Sequence, residues 1–327
     1  MVREQNYTLY SVKMIAAIAV VLIHCMLPGT IGIIVRNVAR FAVPMFFIIS
    51  GYFWNTSNLT FRGYQEKAIR RKRKAVKMFA YAMLAYVAFN MCIQFYIGNF
   101  PQYIRSFLLI ENWGSFLCFN YVNPFTDVGH LWYLMALIYV YFVVIWVEKK
   151  NLWFAANVLS VCLIAIVFVM EFINMFAEIS IPIFFYRNWL MIGFPLFTLG
   201  RYISQNEEKI KKVYSSSLVI IYLLFFCIET IFFGDNFELM PSSLLACVFL
   251  MKISCENKNI KWLSKWGKDY SQWLYIYHYF FVVIFRIMLS KFYGGGDLLR
   301  WLLPLVVVIV TIFFSRVMMN VNRKIIK

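Results

Sequence analysis

The chain has 327 residues, of which 62% are hydrophobic, 20% aromatic and 14% charged. A typical soluble domain is about half apolar and about a quarter charged, so one soluble core could not bury this much apolar surface. The net charge of +17 would suit nucleic acid, but the basic residues cluster between apolar runs, as in cytoplasmic membrane loops. The composition therefore predicts a polytopic membrane protein that is solvated by the lipid bilayer and has no nucleic-acid partner.

Ten apolar runs approach the length of about 20 residues that a membrane-spanning helix needs. They are continuous and do not alternate with polar residues, so they predict helices, whose backbone hydrogen bonds are satisfied inside lipid. The predicted spans are 8–27, 31–53, 76–98, 129–147, 152–170, 187–203, 216–233, 240–255, 270–290 and 299–319, of which the sixth and eighth are the shortest. We therefore predict an all-α integral membrane protein with ten spans in one domain, 1–327.

The loop charges orient these spans. If the N-terminus is cytoplasmic, the inward segments carry most of the lysines and arginines, as the positive-inside rule requires. Both termini are then cytoplasmic. The first run is not followed by a small-residue cleavage site, so we expect a retained helix. The outward loops carry the acidic residues Glu111, Asp127, Glu171, Glu178, Asp235 and Glu238.

The first predicted span contains "VKMIAAIAVVLIHC" at 12–25, with Lys13 near one end and His24 near the other. Eleven residues at about 100° each make about three turns, so both side chains share one helix face, about 16 Å apart along the axis. A cation near the cytoplasmic entrance and a deeper base suit an anionic molecule that enters from the cytoplasm. The alternative is that Lys13 snorkels to the interface and His24 bonds a helix carbonyl.

The second predicted span, "RFAVPMFFIISGYFW" at 40–54, contains Pro44, which predicts a kink. Ser50 and Gly51 permit the close approach of another helix. Arg40 lies in the outer half of the bilayer, where its charge needs a partner or water. A packing kink with an interfacial arginine is the alternative to a binding role.

The basic run "RRKRKAVK" at 70–77 precedes the third predicted span. It has two interpretations. One is a topology signal that faces anionic lipid. The other is a phosphate clamp, because arginine binds phosphate oxygens in bidentate fashion and helix starts favour anions.

The long aromatic segment 99–128 is predicted to be an outward loop, and His130 opens the fourth span just after it. In the ninth span, Ser271, Tyr275 and His278 have i, i+4, i+7 spacing and form one polar stripe. All three histidines of the chain thus fall in or beside apolar runs, which favours a shared polar interior. They lack local ligand spacing, and the seven cysteines form no CxxC pair, so we predict no metal site.

Together these segments resemble the acyltransferase-3 family of membrane-bound acyltransferases, whose architecture also has ten spans. The family's first-span motif is a basic residue, ten further residues and a histidine, which match Lys13 and His24. Lysine replaces the commoner arginine, so a bidentate contact is lost. The other similar blocks, in order, are "VPMFFIISGYF" at 43–53, a basic pair at Arg71 and Arg73, "HLWYL" at 130–134 and "YSQWLYIYH" at 270–278.

The resemblance implies transfer of an acyl group, usually acetyl from acetyl-CoA, to a hydroxyl of a carbohydrate or another cell-envelope acceptor across a bacterial inner membrane. No segment resembles the SGNH or racemase domains of some members, so we expect the stand-alone type. The residues and the resemblance together predict that the CoA phosphates bind Arg70, Arg71 and Arg73 and that the pantetheine arm passes Lys13 to bring the thioester to His24. We expect His130 to assist at the acceptor, Glu111 to contact it, and a hydrated tunnel to be lined by Arg40, Ser50, Tyr275 and His278.

A secondary transporter or flippase of a polar envelope precursor is the main rival, because it too would place ionisable residues inside the membrane. Against it, the sequence shows no inverted repeat and no matching pair of Gly/Pro-broken spans. A non-catalytic membrane partner is a third possibility. Release of CoA thiol that depends on the acceptor separates the enzyme from both.

Overall fold

The structure is a computed structural model that describes residues 6–54, 61–119, 123–126, 128–177, 181–234, 237–257, 261–291 and 297–325. Within these ranges the chain forms helices and no strand, which confirms the all-α prediction. The α-helices of the described residues, in chain order, are α1 Tyr7–His24, α2 Gly29–Ala39, α3 Ala42–Tyr52, α4 Phe61–Tyr96, α5 Phe100–Ser106, α6 Ile110–Gly114, α7 Trp132–Lys149, α8 Trp153–Phe176, α9 Phe194–Gln205, α10 Glu207–Lys211, α11 Ser215–Ile228, α12 Pro241–Glu256, α13 Lys261–Asp269, α14 Ser271–Lys291 and α15 Asp297–Ile325.

Among the described residues, eight helical segments are long and apolar enough to cross a membrane. They are Tyr7–His24, Gly29–Tyr52, Gly63–Tyr96, Gly129–Lys149, Trp153–Phe176, Ser215–Phe233, Ser271–Leu289 and Leu299–Met319. The other two predicted spans correspond to shorter helices. One is α9, of 12 residues, preceded by a five-residue π-helical turn, and the other is α12, of 16 residues. An all-α membrane protein is thus confirmed, whereas the count of ten and the cytoplasmic termini stay predictions.

The helices fall into two compact units, and the division lies within α3, between Phe46 and Phe47. In the first unit, residues 1–46 and 206–327, α1 is central and packs against α2, α12, α13, α14 and α15. In the second unit, residues 47–205, α7 packs against α4 and α8 packs against α9. The assignment of the whole chain to one domain stays a prediction.

The N-terminus of α1 is fixed by a side-chain cap. The Asn6 side-chain oxygen accepts a hydrogen bond from the Leu9 amide at 2.9 Å, which satisfies one of the amides that a helix start leaves without an intrahelical partner. The Asn6 side-chain amide donates to the backbone oxygen of Ser254 near the end of α12, at 2.6 Å. The cap therefore also ties the start of α1 to α12 within the first unit.

The predicted kink in the second span is a break between two helices. The α2 helix ends at Ala39 and α3 begins at Ala42. A proline ring clashes with the carbonyl group four residues earlier, which for Pro44 is the carbonyl of Arg40. The break therefore lies where the proline cannot continue the helix, and the kink prediction is confirmed.

The close approach predicted at Gly51 is also confirmed, within the second unit. A Cβ atom at Gly51 would overlap the backbone carbonyl of Phe197 in α9, and one at Gly200 would overlap the carbonyl of Ile48 in α3. The two glycines thus let the backbones of α3 and α9 touch, as small residues do at helix interfaces in membranes.

One sequence-based boundary is wrong. The helix of the third predicted span, α4, begins at Phe61 and not near residue 76, so the basic run lies inside α4 and away from its N-terminus. Arginine and lysine are good helix formers, so a run of them extends a helix. The predicted loop 99–128 contains α5, α6 and a π-helical turn at Ser115–Phe119. Asp127, with Glu178 and Asp235 of the other outward loops, lies outside the described residues.

Candidate active site

Lys13 and His24 lie on the face of α1 that is turned toward protein. Between them on the same face are Ala17, with none of its surface exposed, and Val20, with 1% exposed. Ile15 lies about 200° around the helix from Lys13 and is 40% exposed. The cation and the imidazole, each half-buried, therefore project away from the most exposed side of α1.

His24 is the last residue of α1 and lies against α14 of the same unit. Its ring centroid is 5.3 Å from that of His278, with the rings tilted by 37°, and 5.4 Å from that of Tyr279, which meets it edge-on. A guanidinium nitrogen of Arg286 donates to the backbone oxygen of His24 at 2.7 Å. Helix α14 thus contacts both the side chain and the backbone of His24.

The polar stripe predicted on α14 is a buried face. Ser271 is 1% exposed, Tyr275 3% and His278 not at all. The ring of Tyr275 also lies edge-on to that of Phe46, with the centroids 5.5 Å apart. These three side chains therefore belong to the interior of the first unit.

Nδ1 of His278 is held by the backbone of its own helix. It lies 2.8 Å from the carbonyl oxygen of Tyr275 and 3.2 Å from that of Leu274. A carbonyl oxygen only accepts hydrogen bonds, so Nδ1 carries the proton that is donated. In a neutral ring, Nε2 is then the nitrogen with the lone pair.

Arg40 occupies the break between α2 and α3 and is 9% exposed. Its backbone amide donates to the carbonyl of Asn37 at 3.3 Å. The side-chain amide of Asn37 in turn donates to the carbonyl of Gly234 at 2.8 Å, which links the end of α2 to the segment after α11. Arg40 therefore lies at a break between two helices and not inside one continuous membrane-spanning helix.

In the second unit, Ser50 and Arg71 belong to one polar cluster with two tyrosines. A guanidinium nitrogen of Arg71 lies 3.5 Å from the backbone oxygen of Ser50, and Arg71 also has a side-chain hydrogen bond with Tyr141. The hydroxyls of Ser50 and Tyr133 are 3.3 Å apart. Arg71 is therefore turned toward α3 and α7.

Arg70 and Arg73 are exposed on α4, unlike Arg71. At about 100° per residue, Arg73 lies about 200° around the helix from Arg71 but only about 60° from Arg70. Arg70 lines a cavity of about 340 Å³ with Gly63, Glu66 and Lys67. The predicted pair of Arg71 and Arg73 is thus split between two sides of α4, and the exposed pair is Arg70 and Arg73.

His130 lies in the short 3₁₀ turn Gly129–Leu131 that leads into α7, and it is 2% exposed. Its ring meets that of the buried Tyr86 edge-on, with the centroids 5.2 Å apart. Glu111 lies in the first turn of α6 and is exposed. Among the described residues, no group of three or more His, Cys, Asp or Glu side chains could hold a metal ion, and the absence of a metal stays a prediction.

The fold and this arrangement define a multi-pass all-α membrane protein in which a basic side chain and an imidazole share the face of α1 that is turned toward protein. A family model described as an acyltransferase domain matches residues 6–319, so the chain belongs to the acyltransferase-3 family and is a membrane acyltransferase. No curated protein and no solved structure matches the chain.

Sequence reasoning did not identify Tyr133, Tyr141, Tyr279 and Arg286 as neighbours of the candidate residues. Tyr133 lies inside the block "HLWYL", and Tyr279 directly follows "YSQWLYIYH", so both were within reach of a motif-based search. Tyr141 and Arg286 belong to apolar runs whose pattern does not distinguish them from other interior or interfacial residues.

Proposed function

We propose that the chain transfers an acyl group, acetyl in the first place, from cytoplasmic acetyl-CoA or another acyl-CoA to a hydroxyl group outside. The acceptor is a cell-envelope carbohydrate or a related molecule, and the membrane is the inner (cytoplasmic) membrane of a bacterial cell. The observation that carries this proposal is the shared inward face of Lys13 and His24, with the imidazole at the outer end of α1 according to the predicted topology.

The chemistry assigned to His24 can follow two routes. In the first, a ring nitrogen takes the proton of the acceptor hydroxyl while its oxygen attacks the thioester carbonyl. The CoA thiolate then leaves and takes the proton from the imidazole. An unperturbed histidine has a pKa of about 6.5, which suits both proton transfers.

In the second route, the ring nitrogen of His24 attacks the thioester and releases CoA as the thiol. The acyl-imidazole formed is then attacked by the acceptor hydroxyl, which takes the acyl group and restores the imidazole. Transient labelling of His24 by a radioactive acyl group, without acceptor present, distinguishes this route from the first.

We assign donor binding to the basic side chains. The exposed arginines Arg70 and Arg73 would bind the CoA phosphates from the aqueous side, because guanidinium groups form charge-assisted hydrogen bonds with phosphate. Arg71 would act from within its cluster with Ser50 and Tyr141. The ammonium group of Lys13 would meet the donor on its way to His24.

The remaining candidates are assigned to the acceptor and to the hydrated tunnel that acyl transfer across the membrane requires. His130 would orient the acceptor or assist its proton, and Glu111 would contact it from the outer segment. Arg40, Ser50, Tyr275 and His278 would line the tunnel.

The test is acyl transfer by the purified protein reconstituted in lipid vesicles, with a radiolabelled acyl-CoA and a set of soluble and lipid-linked glycans. We expect CoA thiol release that depends on the acceptor and that His24→Ala abolishes, while Ile15→Ala on the exposed face of α1 retains it. Uptake or flipping of a glycan without thiol release would instead support the transporter. If neither acyl transfer nor glycan transport is detected, the result would support the third alternative, a non-catalytic membrane partner.

A further inference from the structure

The short helix α13 carries two tryptophans and a lysine along one exposed side. Trp262 is 70% exposed and Trp266 is 41% exposed, and Lys265, which lies between them in the sequence, is exposed as well. Positions i, i+3 and i+4 are neighbours on the surface of a helix. These three side chains therefore form one stripe, which we call the indole–lysine stripe.

The opposite side of α13 is docked on α1 of the same unit. Ser264 is 3% exposed, and a Cβ atom at Gly267 would overlap the backbone carbonyl of Tyr10 and lie 3.3 Å from the Cβ atom of Met14. Ser264 and Gly267 lie about 200° and about 140° around the helix from Trp262. The contact with α1 thus fixes the rotation of α13 and leaves the stripe on the side that is turned away from α1.

The length and the position of α13 place it at a membrane surface. Its nine residues extend about 14 Å, which is short of the about 20 residues that a membrane-spanning helix needs. It follows α12, which ends at Glu256, and precedes α14, which begins at Ser271. In the predicted topology both of these helix ends are cytoplasmic, and so is the N-terminal part of α1 that α13 contacts.

The chemistry of the stripe suits the boundary between acyl chains and water. An indole is an apolar ring with one N–H group, and tryptophan is enriched at this boundary. The ammonium group of Lys265 reaches the headgroups while its methylene stem covers apolar surface. Water alone would leave two indoles hydrated, and the hydrocarbon core would bury a charge. The headgroup layer satisfies all three side chains.

The charge of α13 selects the kind of headgroup. Its sequence, KWLSKWGKD, has three lysines and one aspartate, which leaves a net charge of +2. Asp269 ends the stripe on the same side and limits the attraction for anions. Within the described part of the chain, Lys265 forms no ion pair. A lysine near an anionic lipid surface is attracted to it, and short amphipathic helices with tryptophan and lysine bind such surfaces.

We propose that the indole–lysine stripe binds anionic phospholipid headgroups of the inner leaflet. Trp262 and Trp266 lie where the headgroups meet the acyl chains, and the ammonium group of Lys265 binds the headgroup phosphates. Because Gly267 ties α13 to α1, the bound lipid layer also supports the segment of α1 that contains Lys13. The binding itself does not depend on the acyl transfer proposed above.

The first experiment locates the stripe in the bilayer. The full-length protein is labelled with 5-fluorotryptophan and placed in nanodiscs of phosphatidylcholine and phosphatidylglycerol, and Trp262→Phe assigns the ¹⁹F NMR signal of Trp262. Three paramagnetic probes are compared: a nitroxide at the headgroup, a nitroxide at the middle of the acyl chain, and a water-soluble gadolinium chelate. We expect the headgroup nitroxide to broaden the Trp262 signal most.

The other results of this measurement overturn the proposal. Broadening mainly by the gadolinium chelate would place the stripe in water, and broadening mainly by the mid-chain nitroxide would place it in the hydrocarbon core. A signal that none of the three probes broadens would show that protein, such as a second copy of this chain, covers the stripe.

The second experiment measures the preference for anionic lipid. The protein in detergent is titrated with phosphatidylglycerol, and the rise in melting temperature reports binding, because a ligand of the folded state stabilises it. In Lys265→Gln we expect about fivefold more phosphatidylglycerol to be needed for half of the rise, which is the factor that one lysine near an anionic surface contributes. Lys212→Gln, an exposed lysine at the end of α10 on the same predicted side, is the matched control.

The control and a second lipid decide the outcome. An equal loss in Lys265→Gln and Lys212→Gln would show that only the total charge of the protein attracts the lipid, which overturns a specific stripe. An equal rise in melting temperature with phosphatidylcholine overturns the anionic preference. Both substitutions change exposed side chains, so we expect the fold to be retained. Neither experiment requires turnover, so a failure of the proposed acyl transfer leaves both results interpretable.

Discussion

Arg286 of α14 binds the carbonyl oxygen of His24 at 2.7 Å, so the cation caps the C-terminal end of α1 at the residue that carries the candidate catalytic imidazole. A cation at a helix C-terminus contributes typically about 0.3–1 kcal/mol and up to about 2 kcal/mol. This contact therefore joins helix capping to the placement of His24.

We expect Arg286→Gln to lower kcat by about tenfold, because a loss of about 1.4 kcal/mol in the placement of His24 corresponds to that factor. Arg286→Lys keeps the charge and should retain part of the activity. Arg300→Gln, an exposed arginine on α15, is the control. Equal activity of the two glutamine variants would contradict this role of Arg286.

Replacing Lys13 tests whether the positive charge on the protein-facing side of α1 contributes to kcat/KM for acyl-CoA. Lys13→Met removes the charge but keeps the length of the side chain, and we expect kcat/KM for acyl-CoA to fall about 10- to 100-fold, as for a lost charge-assisted contact. Lys13→Arg should keep most of it, because the cation remains. Steady-state kinetics in vesicles measures both variants. If Lys13→Met matches the unsubstituted protein, Lys13 has only an interfacial role.

Substitutions of Arg71 and Arg73 in the basic run should affect different properties of the protein. Arg71→Gln loses the contacts with Ser50 and Tyr141, so we expect a lower melting temperature together with lower activity. Arg73→Gln changes an exposed side chain and should raise KM for acyl-CoA without changing the melting temperature. That effect should shrink at high salt, because exposed charges are screened.

The control for this comparison is Tyr141→Phe, which removes the hydroxyl that binds Arg71. It should reproduce part of the Arg71→Gln loss in melting temperature and none of the Arg73→Gln change in KM. A common effect of Arg71→Gln and Arg73→Gln on KM alone would show that the two guanidiniums act as one clamp.

The contact between α3 and α9 predicts a large effect of one methyl group. In Gly200→Ala, the added Cβ overlaps the carbonyl of Ile48, and overpacking of this kind costs typically about 1–3 kcal/mol. We expect a lower melting temperature in detergent, followed by size-exclusion chromatography with fluorescence detection. Gly114→Ala, where the added Cβ meets open space, should melt like the unsubstituted protein.

Local features of the sequence determined the membrane class, the helical fold, the shared face of Lys13 and His24, the stripe on α14 and the break before Pro44. Each depends on apolar content, on the helical repeat or on the geometry of proline, which act over a few residues. The same local reasoning failed at the start of α4, because charged residues that mark a loop also form helices readily.

Only the tertiary structure decided which distant groups meet. That α14 brings His278 and Arg286 to His24, and that α4 turns Arg71 inward and Arg73 outward, depends on how helices far apart in the chain pack and rotate against one another. A helical repeat specifies which side chains share a face, but it does not specify the neighbour of that face. Packing between helices supplies that neighbour, and here it brings a second imidazole to the histidine that the sequence had singled out.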